Sequence, residues 1–161
     1  MHPRARELKR LLSLEPHVEG GHYRRIHESS LTTAFGREAR PRLASSSIYY
    51  LLCAGEFSRW HRIDADEIWN WYEGEPLELL LLDPRDRCVT RHQLGPASEA
   101  AAPVWFVPPG CWQAARPLGS HALVGCTVTP GFEWEGFTTL DTQPEIAALL
   151  EEIDMCLMAL R

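Results

Sequence analysis

Short apolar or alternating segments, separated by turn-forming residues, follow one another over most of the chain. The clearest run, Ser47 to Cys53, is apolar and aromatic and predicts a buried strand. Further strands are predicted at residues 22–28, 56–63, 67–73, 77–82, 88–94, 104–107 and 122–129. Residues 29–44, rich in Ser, Thr, Arg and Pro, indicate a loop or flap. Many short strands with turns between them are typical of an antiparallel sandwich or barrel.

The two ends of the chain have helical periodicity instead. Leucines recur at helical spacing within residues 3–14, and Pro16 disfavours a helix beyond them. Near the other end, Thr142 and Glu145 have the spacing of a capping box, and apolar residues then repeat every three or four positions as far as Leu160. We therefore predict a short helix at each end, the second packing on the barrel or on a second subunit.

Composition narrows the class of protein. A chain of 161 residues can bury a full core, so we predict one domain, residues 1–161, without an internal repeat or linker. The net charge of −6 disfavours nucleic acid as a partner. Five cysteines without Cys-x-x-Cys spacing indicate neither a disulfide framework nor a zinc ribbon. No signal-like or membrane-spanning stretch occurs, so we expect a soluble cytoplasmic protein that does not bind membranes.

Candidate chemistry concentrates between Gly55 and Gly74. His61 and Glu67 lie on either side of residues 63–66, a predicted hairpin turn, so adjacent strands are expected to point an imidazole and a carboxylate at a common hollow. His61 could be a metal ligand, a general base or a hydrogen-bonded core histidine. We favour a pocket role.

Residues around this pair are candidates for the pocket wall. Strict alternation puts Arg59 on the face of His61, where it would meet an anionic ligand or pair with an acid such as Glu67. Trp69 and Trp71 share the face of Glu67 and could line the pocket or pack in the core. Two further candidates could reach across the mouth of the barrel; they are Tyr23 and Arg24.

The spacing of Gly55, His61, Glu67 and Gly74 resembles the first motif of the cupin superfamily, with Ile63 at the place of a second histidine. Residues 108–113 resemble the second cupin motif, with Gln113 at the position of a metal-ligating histidine. The resemblance implies an all-β fold, a single cupin jelly roll (double-stranded β-helix) with short terminal helices, and it also implies a homodimer.

Seven separated motifs between Leu12 and Leu140 are similar to one cupin group, often called cupin family five, whose function is unknown. They lie at residues 19–24, 46–52, 61–62, 66–69, 74–79, 108–115 and 128–132. Departures at Asn70, often histidine, and Cys111, often tryptophan, could alter a pocket wall.

The resemblance also implies that three residues stand at metal-ligand positions of the cupin motifs, namely His61, Glu67 and Gln113. Only the first two are ordinary ligands of first-row metals, and three good protein ligands are usual at a tight catalytic site. We therefore expect no cofactor, or at most a weakly held divalent metal.

Three functions agree with these observations. The first is binding of a small polar molecule, sugar-like or anionic, in a pocket built from His61, Glu67, Gln113, Arg59 and aromatic walls. The second is a sugar epimerase or isomerase in which His61 is the catalytic general base, as in metal-free cupin epimerases. The third is a storage-like or scaffolding dimer with a filled interior. The sequence does not decide whether the protein is an enzyme.

Overall fold

The computed structural model describes all 161 residues, and strands are its main secondary structure. Helix α1 spans Pro3–Leu11 and helix α2 spans Pro144–Ile153. The thirteen strands are β1 Glu15–Pro16, β2 His22–Glu28, β3 Thr32–Phe35, β4 Arg40–Leu43, β5 Ser46–Cys53, β6 Ser58–Arg62, β7 Asp66–Gly74, β8 Leu77–Asp83, β9 Cys88–Leu94, β10 Val104–Val107, β11 Trp112–Pro117, β12 His121–Thr129 and β13 Thr138–Thr139. The all-β fold with a short helix near each end is confirmed.

Two antiparallel sheets face each other as a jelly roll. One has six strands in the order β1-β2-β5-β12-β7-β10, and the other has five in the order β13-β6-β11-β8-β9. Apolar side chains from both sheets meet between them, for example Tyr50 and Val124 from the first and Leu79 and Leu81 from the second. The hydrophobic core therefore fills most of the space between the sheets, and the candidate site lies where polar side chains replace it.

A second apolar layer covers the outside of the five-stranded sheet. Trp60, Leu80 and Trp112 point outward from this sheet and pack against α2 and the 3-10 turn that follows it. The Nε1–H of Trp60 donates to the carbonyl of Leu157 at 2.9 Å. The C-terminal segment thus packs on the barrel of its own chain.

The prediction of one C-terminal helix with a capping box is wrong in detail. The N-cap is Gln143, which makes no side-chain capping bond, because Thr142 lies in a preceding 3-10 turn and its hydroxyl donates to the carbonyl of Thr139. Extended backbone at Asp154 ends the α-helix, and Met155–Leu160 forms a 3-10 turn. The apolar repeat therefore continues across a break in the helix.

Residues 29–44 also differ from the prediction, since they contain the β3–β4 hairpin rather than a structureless flap. Arg42 is nearly inaccessible, with 1% of its side chain exposed. Its guanidinium donates to the carbonyl of Gly131 at 2.6 Å and to Asp64 at 2.9 Å. These bonds hold the hairpin against the turn between β6 and β7 and against the segment that follows β12.

Two further structural features bear on the sequence expectations. All five cysteines are free thiols. Neither helix has the length and apolar character required to pass through a bilayer.

Candidate functional site

A cavity of about 160 Å³ opens between the two sheets. Two imidazoles and two carboxyl groups line it: His61 is on β6, Glu67 is on β7, and His17 and Glu19 are in the turn between β1 and β2. His61, Glu67 and Glu19 are buried, with 3%, 7% and 9% of their surface exposed. The structure brings His61 and Glu67 to one hollow, as the predicted hairpin requires.

The ring of His61 is held in one orientation by backbone. Its Nδ1 lies 2.6 Å from the carbonyl oxygen of Arg59, an acceptor, so Nδ1 carries the proton and Nε2 is unprotonated in the neutral ring. Burial lowers the pKa of His61, and the nearby Glu67 carboxylate opposes this shift only in part. The imidazole is therefore a neutral base at neutral pH, with Nε2 left for a ligand.

Glu19 is the site residue that sequence reasoning missed. Its Oε2 accepts a hydrogen bond of 2.9 Å from the hydroxyl of Ser58 and lies 3.4 Å from Nδ1 of His61. His17 is nearby, with its Nδ1 3.9 Å from the same oxygen. Burial raises the pKa of Glu19, although His17 and Ser58 favour the charged form.

The two glycines after Glu19 explain how this carboxyl reaches the cavity. Gly20 has φ +109°, and a Cβ there would lie 2.2 Å from the carbonyl oxygen of Phe57. Gly21 has φ +67°, and a Cβ there would lie 2.7 Å from the carbonyl oxygen of Leu51. Only glycine fits such positions, so the chain approaches β6 and points Glu19 inward. The motif at residues 19–24 begins with this Glu-Gly-Gly sequence, but the motif alone did not assign Glu19 to the pocket.

Behind the cavity, Glu67 belongs to a buried hydrogen-bond chain. The side-chain amide of Gln113 donates to Oε2 of Glu67, and Nε1–H of Trp69 donates to Oε1 of Gln113 at 3.0 Å. Burial raises the pKa of Glu67, and His61 and Gln113 offset part of that effect. Gln113 is fully buried and does not line the cavity, so it positions Glu67 instead of meeting a ligand.

Arg59 is not in this pocket, which corrects the prediction from alternation. His61 pairs with Gln113 and Ser58 with Ala115, so Arg59 and Trp60 together oppose a single residue of β11. Such a bulge breaks the alternation of faces. Ser58 and His61 consequently point inward, and the side chain of Arg59 is exposed.

The remaining candidates separate into those at the cavity and those away from it. Tyr23 lines it, in edge-to-face contact with His17 at 4.5 Å between ring centroids. Arg24 points away and donates to the carbonyl of Leu12 at 3.3 Å, and its neighbour Arg25 lines the cavity instead. Trp69 lines the cavity.

Trp71, for which pocket lining and core packing were both open, packs against the core outside the cavity, and its Nε1–H donates to the carbonyl of Glu75 at 3.3 Å. Trp69 and Trp71 share a face, because β7 pairs regularly with β12 as far as Trp71, and Trp71 lies two residues further along the strand from Glu67. Two aromatic side chains that sequence reasoning did not assign to the pocket, Phe132 and Trp134, complete its rim.

Comparison with known proteins places the chain in a family. The model of the family described as Cupin superfamily (DUF985) matches residues 6–140. The chain belongs to this cupin family. A search of curated proteins gives no significant match.

Solved structures agree with the cupin fold. A hypothetical protein from Leishmania major is 27% identical, with a TM-score of 0.78 over 92% of this chain and 97% of its own. A protein from Shewanella oneidensis is 35% identical, with a TM-score of 0.75 over 91% and 94% of the two chains. Oxalate decarboxylase from Bacillus subtilis is 16% identical, with a TM-score of 0.57 over 86% of this cupin and 34% of the enzyme. This cupin spans about a third of that enzyme, and the likeness shows the fold alone.

The cupin motifs imply a metal ion where His61, Glu67 and Gln113 meet, but the residues do not fit one. No group of three or more His, Cys, Asp or Glu side chains is arranged to hold a metal. The oxygen of Gln113 accepts from Trp69 and its amide nitrogen donates to Glu67, so neither end is free. Ile63 lines the cavity with an apolar side chain. Only two ordinary ligands remain, fewer than a tight site needs.

Proposed function

We propose that this cupin binds a small, neutral, hydroxyl-rich molecule, such as a sugar, in the cavity between its sheets. The observation that carries the proposal is the trio of His61, Glu19 and Glu67 around one enclosed hollow. Sugar hydroxyls can donate to the carboxyl oxygens and to Nε2 of the imidazole. Aromatic rings such as Trp69 and Tyr50 offer apolar surface to the carbon face of the same ligand.

Charge favours a neutral ligand over the anionic alternative. Two carboxyl groups on the cavity wall repel an anion, or must stay protonated to accept one. The only cationic side chain of the lining that is always charged is Arg25, which is already paired with Glu28. An anionic ligand would therefore gain little there.

We expect a bound sugar to raise the melting temperature of the wild-type protein, because a ligand that binds only the folded state stabilises it by mass action. A thermal-shift screen of monosaccharides and polyols measures this effect. The substitution His61→Gln should weaken binding of any hit by about 10- to 100-fold, the cost of removing hydrogen bonds in a buried site. The matched control is His27→Gln, because His27 is exposed on β2 outside the cavity. A shift that survives His61→Gln unchanged contradicts the proposal.

A second candidate is proton transfer next to a sugar carbonyl, the work of an epimerase or isomerase. The specific observation in its favour is the fixed tautomer of His61, whose Nδ1–H is tied to the carbonyl of Arg59 and whose Nε2 is free to take a proton. Incubation with aldoses or ketoses in D₂O separates the two candidates. Deuterium incorporation that His61→Gln abolishes supports catalysis, and binding without incorporation supports the ligand-binding function alone.

The alternative of a filled interior has less support. A storage-like or scaffolding protein would need solid packing beside His61, whereas His61 lines the cavity of about 160 Å³.

We further propose a homodimer formed by the outer face of the six-stranded sheet. Ile68 and Phe106 are opposite each other on β7 and β10, and both side chains are exposed together with Val104. Helix α1 covers a different part of this sheet, where Leu8 packs on Leu51. Neighbouring exposed apolar residues of this kind are typical of subunit interfaces.

Light scattering after size exclusion should give twice the mass of the 18.3 kDa chain for the wild type. Phe106→Glu should give the mass of one chain, because it places a charge at the centre of the patch. The substitution Leu118→Glu is the matched control, since Leu118 is also exposed but lies outside this sheet. A wild-type monomer contradicts the proposal.

A further inference from the structure

A second cavity, of about 270 Å³, lies next to the first. The two share Val18, Glu19 and Trp134 in their walls, so the segment that carries Glu19 separates them. The second cavity lies over β6 and the 3-10 turn Leu140–Thr142, with Phe137 and Leu140 on its apolar side. Nothing in the proposed sugar site uses this space.

Arg59, which the bulge in β6 turns away from the first cavity, lines the second. Its guanidinium makes no ion pair and no hydrogen bond within the chain, although this protein is acidic overall. The other arginine of the cavity is Arg161, whose Nε donates to Asp141 at 2.8 Å. That pair neutralises itself, and the other acid of the lining, Glu19, accepts a hydrogen bond from Ser58 and lies beside His61 of the first cavity. Arg59 is therefore the cationic side chain left for a ligand.

Arg59 is also fixed in place by its backbone. Its N–H donates to the carbonyl of Glu19 at 3.0 Å, and its own carbonyl accepts from Nδ1 of His61. The backbone of Arg59 is therefore held at the cavity wall, and its guanidinium has no partner that a ligand must displace. An arginine of this kind matches a carboxylate with two parallel hydrogen bonds.

We propose that the second cavity binds a small aromatic carboxylate. The carboxylate pairs with the guanidinium of Arg59, and the ring lies against Phe137 and Trp134. One unneutralised cation matches the single charge of a carboxylate, whereas a phosphate dianion would keep one charge unpaired beside the apolar wall. We propose an aromatic ligand because a planar apolar ring packs well on the aromatic side chains of the wall. This site shares Val18, Glu19 and Trp134 with the proposed sugar site, but Arg59 lines only the second cavity, so the two proposals can fail separately.

Titration of the wild type with benzoate, followed by calorimetry and by tryptophan fluorescence, tests the proposal. We expect saturable binding at millimolar concentrations and a change in tryptophan emission, because Trp134 is in the wall. Arg59→Gln should weaken benzoate binding by about 10- to 100-fold, the range for hydrogen bonds to charged groups. Since Arg59 is exposed, this variant is expected to fold normally.

Two further variants and a second probe make the result specific. Arg24→Gln removes another exposed arginine, outside both cavities, and should leave benzoate binding unchanged. Glu67→Gln changes a group of the first cavity that does not line the second, and should also leave it unchanged. Phenyl phosphate should bind more weakly than benzoate. Absence of benzoate binding to the wild type, equal binding by Arg59→Gln, or a loss in Glu67→Gln as large as that in Arg59→Gln overturns the proposal.

Discussion

Trp60→Ala is expected to lower the free energy of unfolding by about 3–5 kcal/mol, the range for large aromatic side chains truncated in a core. The indole is completely buried between the five-stranded sheet and the layer formed by α2 and the 3-10 turn after it. Truncation removes this packing and also leaves the carbonyl of Leu157 without its donor. Urea denaturation followed by circular dichroism, with the m-value compared between proteins, measures the loss.

Two other variants put this cost in context. Trp60→Phe keeps an aromatic ring in the layer but removes the Nε1–H donor and part of the buried volume, so it should cost less than Trp60→Ala, about 1–3 kcal/mol. Trp134→Ala is the matched control, because 58% of this tryptophan is exposed and its truncation should cost far less. A cost for Trp60→Ala no greater than that for Trp134→Ala would show that the C-terminal layer does not contribute to stability as the structure indicates.

The sequence predicted most strands correctly, and the one long strand it missed shows the limit of periodicity. Strand β11 is buried on both faces, with Trp112 and Ala114 under the C-terminal layer and Gln113 and Ala115 toward the interior. Such a strand has no alternation of polar and apolar residues to detect. The motif at residues 108–115 located these residues, but it did not identify a strand.

The site was predictable only where its residues are close in sequence. His61 and Glu67 flank one turn, so their spacing located both on the same hollow. Glu19 enters from far along the chain, and its position depends on a close approach of backbone at Gly20. Arg59 was misplaced because one bulge reversed its face, and no pattern in a single strand reveals a register shift against its partner.

The pH dependence of stability should report on Glu67. Burial raises the pKa of this carboxyl in the folded state above its ordinary value of 4.5. Between the pKa of Glu67 in the unfolded chain and its raised pKa in the folded protein, the folded protein binds more protons than the unfolded chain. Stability therefore falls as pH rises through this interval. The contribution of the neutral carboxyl is full below pH 4.5 and is lost as pH rises through the folded pKa.

Other groups at the cavity titrate as well and must be separated from Glu67. The raised pKa of Glu19 gives a slope of the same sign. The lowered pKa of His61 gives the opposite slope, because the unfolded chain then binds more protons just below pH 6.5. The thiol of Cys126 is neutral in this range, since burial raises its pKa. The pH effects of these other groups occur both in the wild type and in a variant at position 67, so most of them cancel in the difference between the two proteins.

Glu67→Gln should therefore gain stability relative to the wild type as pH rises from 4 to 9. The amide oxygen can still accept from Gln113, while the cost of ionising a buried carboxyl disappears. The difference in unfolding free energy between the variant and the wild type should therefore grow as pH rises above 4.5, in the direction set by the raised pKa of Glu67. Urea denaturation at several pH values measures it.

Glu151→Gln is the matched control for this series, because Glu151 is exposed on α2 and should give a difference that does not change with pH. A flat difference for Glu67→Gln, or one that falls as pH rises, would mean that the folded protein holds this carboxylate charged without penalty. The pocket would then present a fixed negative charge and would suit a cationic ligand. The expected rise instead means that Glu67 takes up a proton more readily in the folded protein than in the unfolded chain, and a protonated carboxyl can donate to a sugar oxygen as well as accept from a hydroxyl.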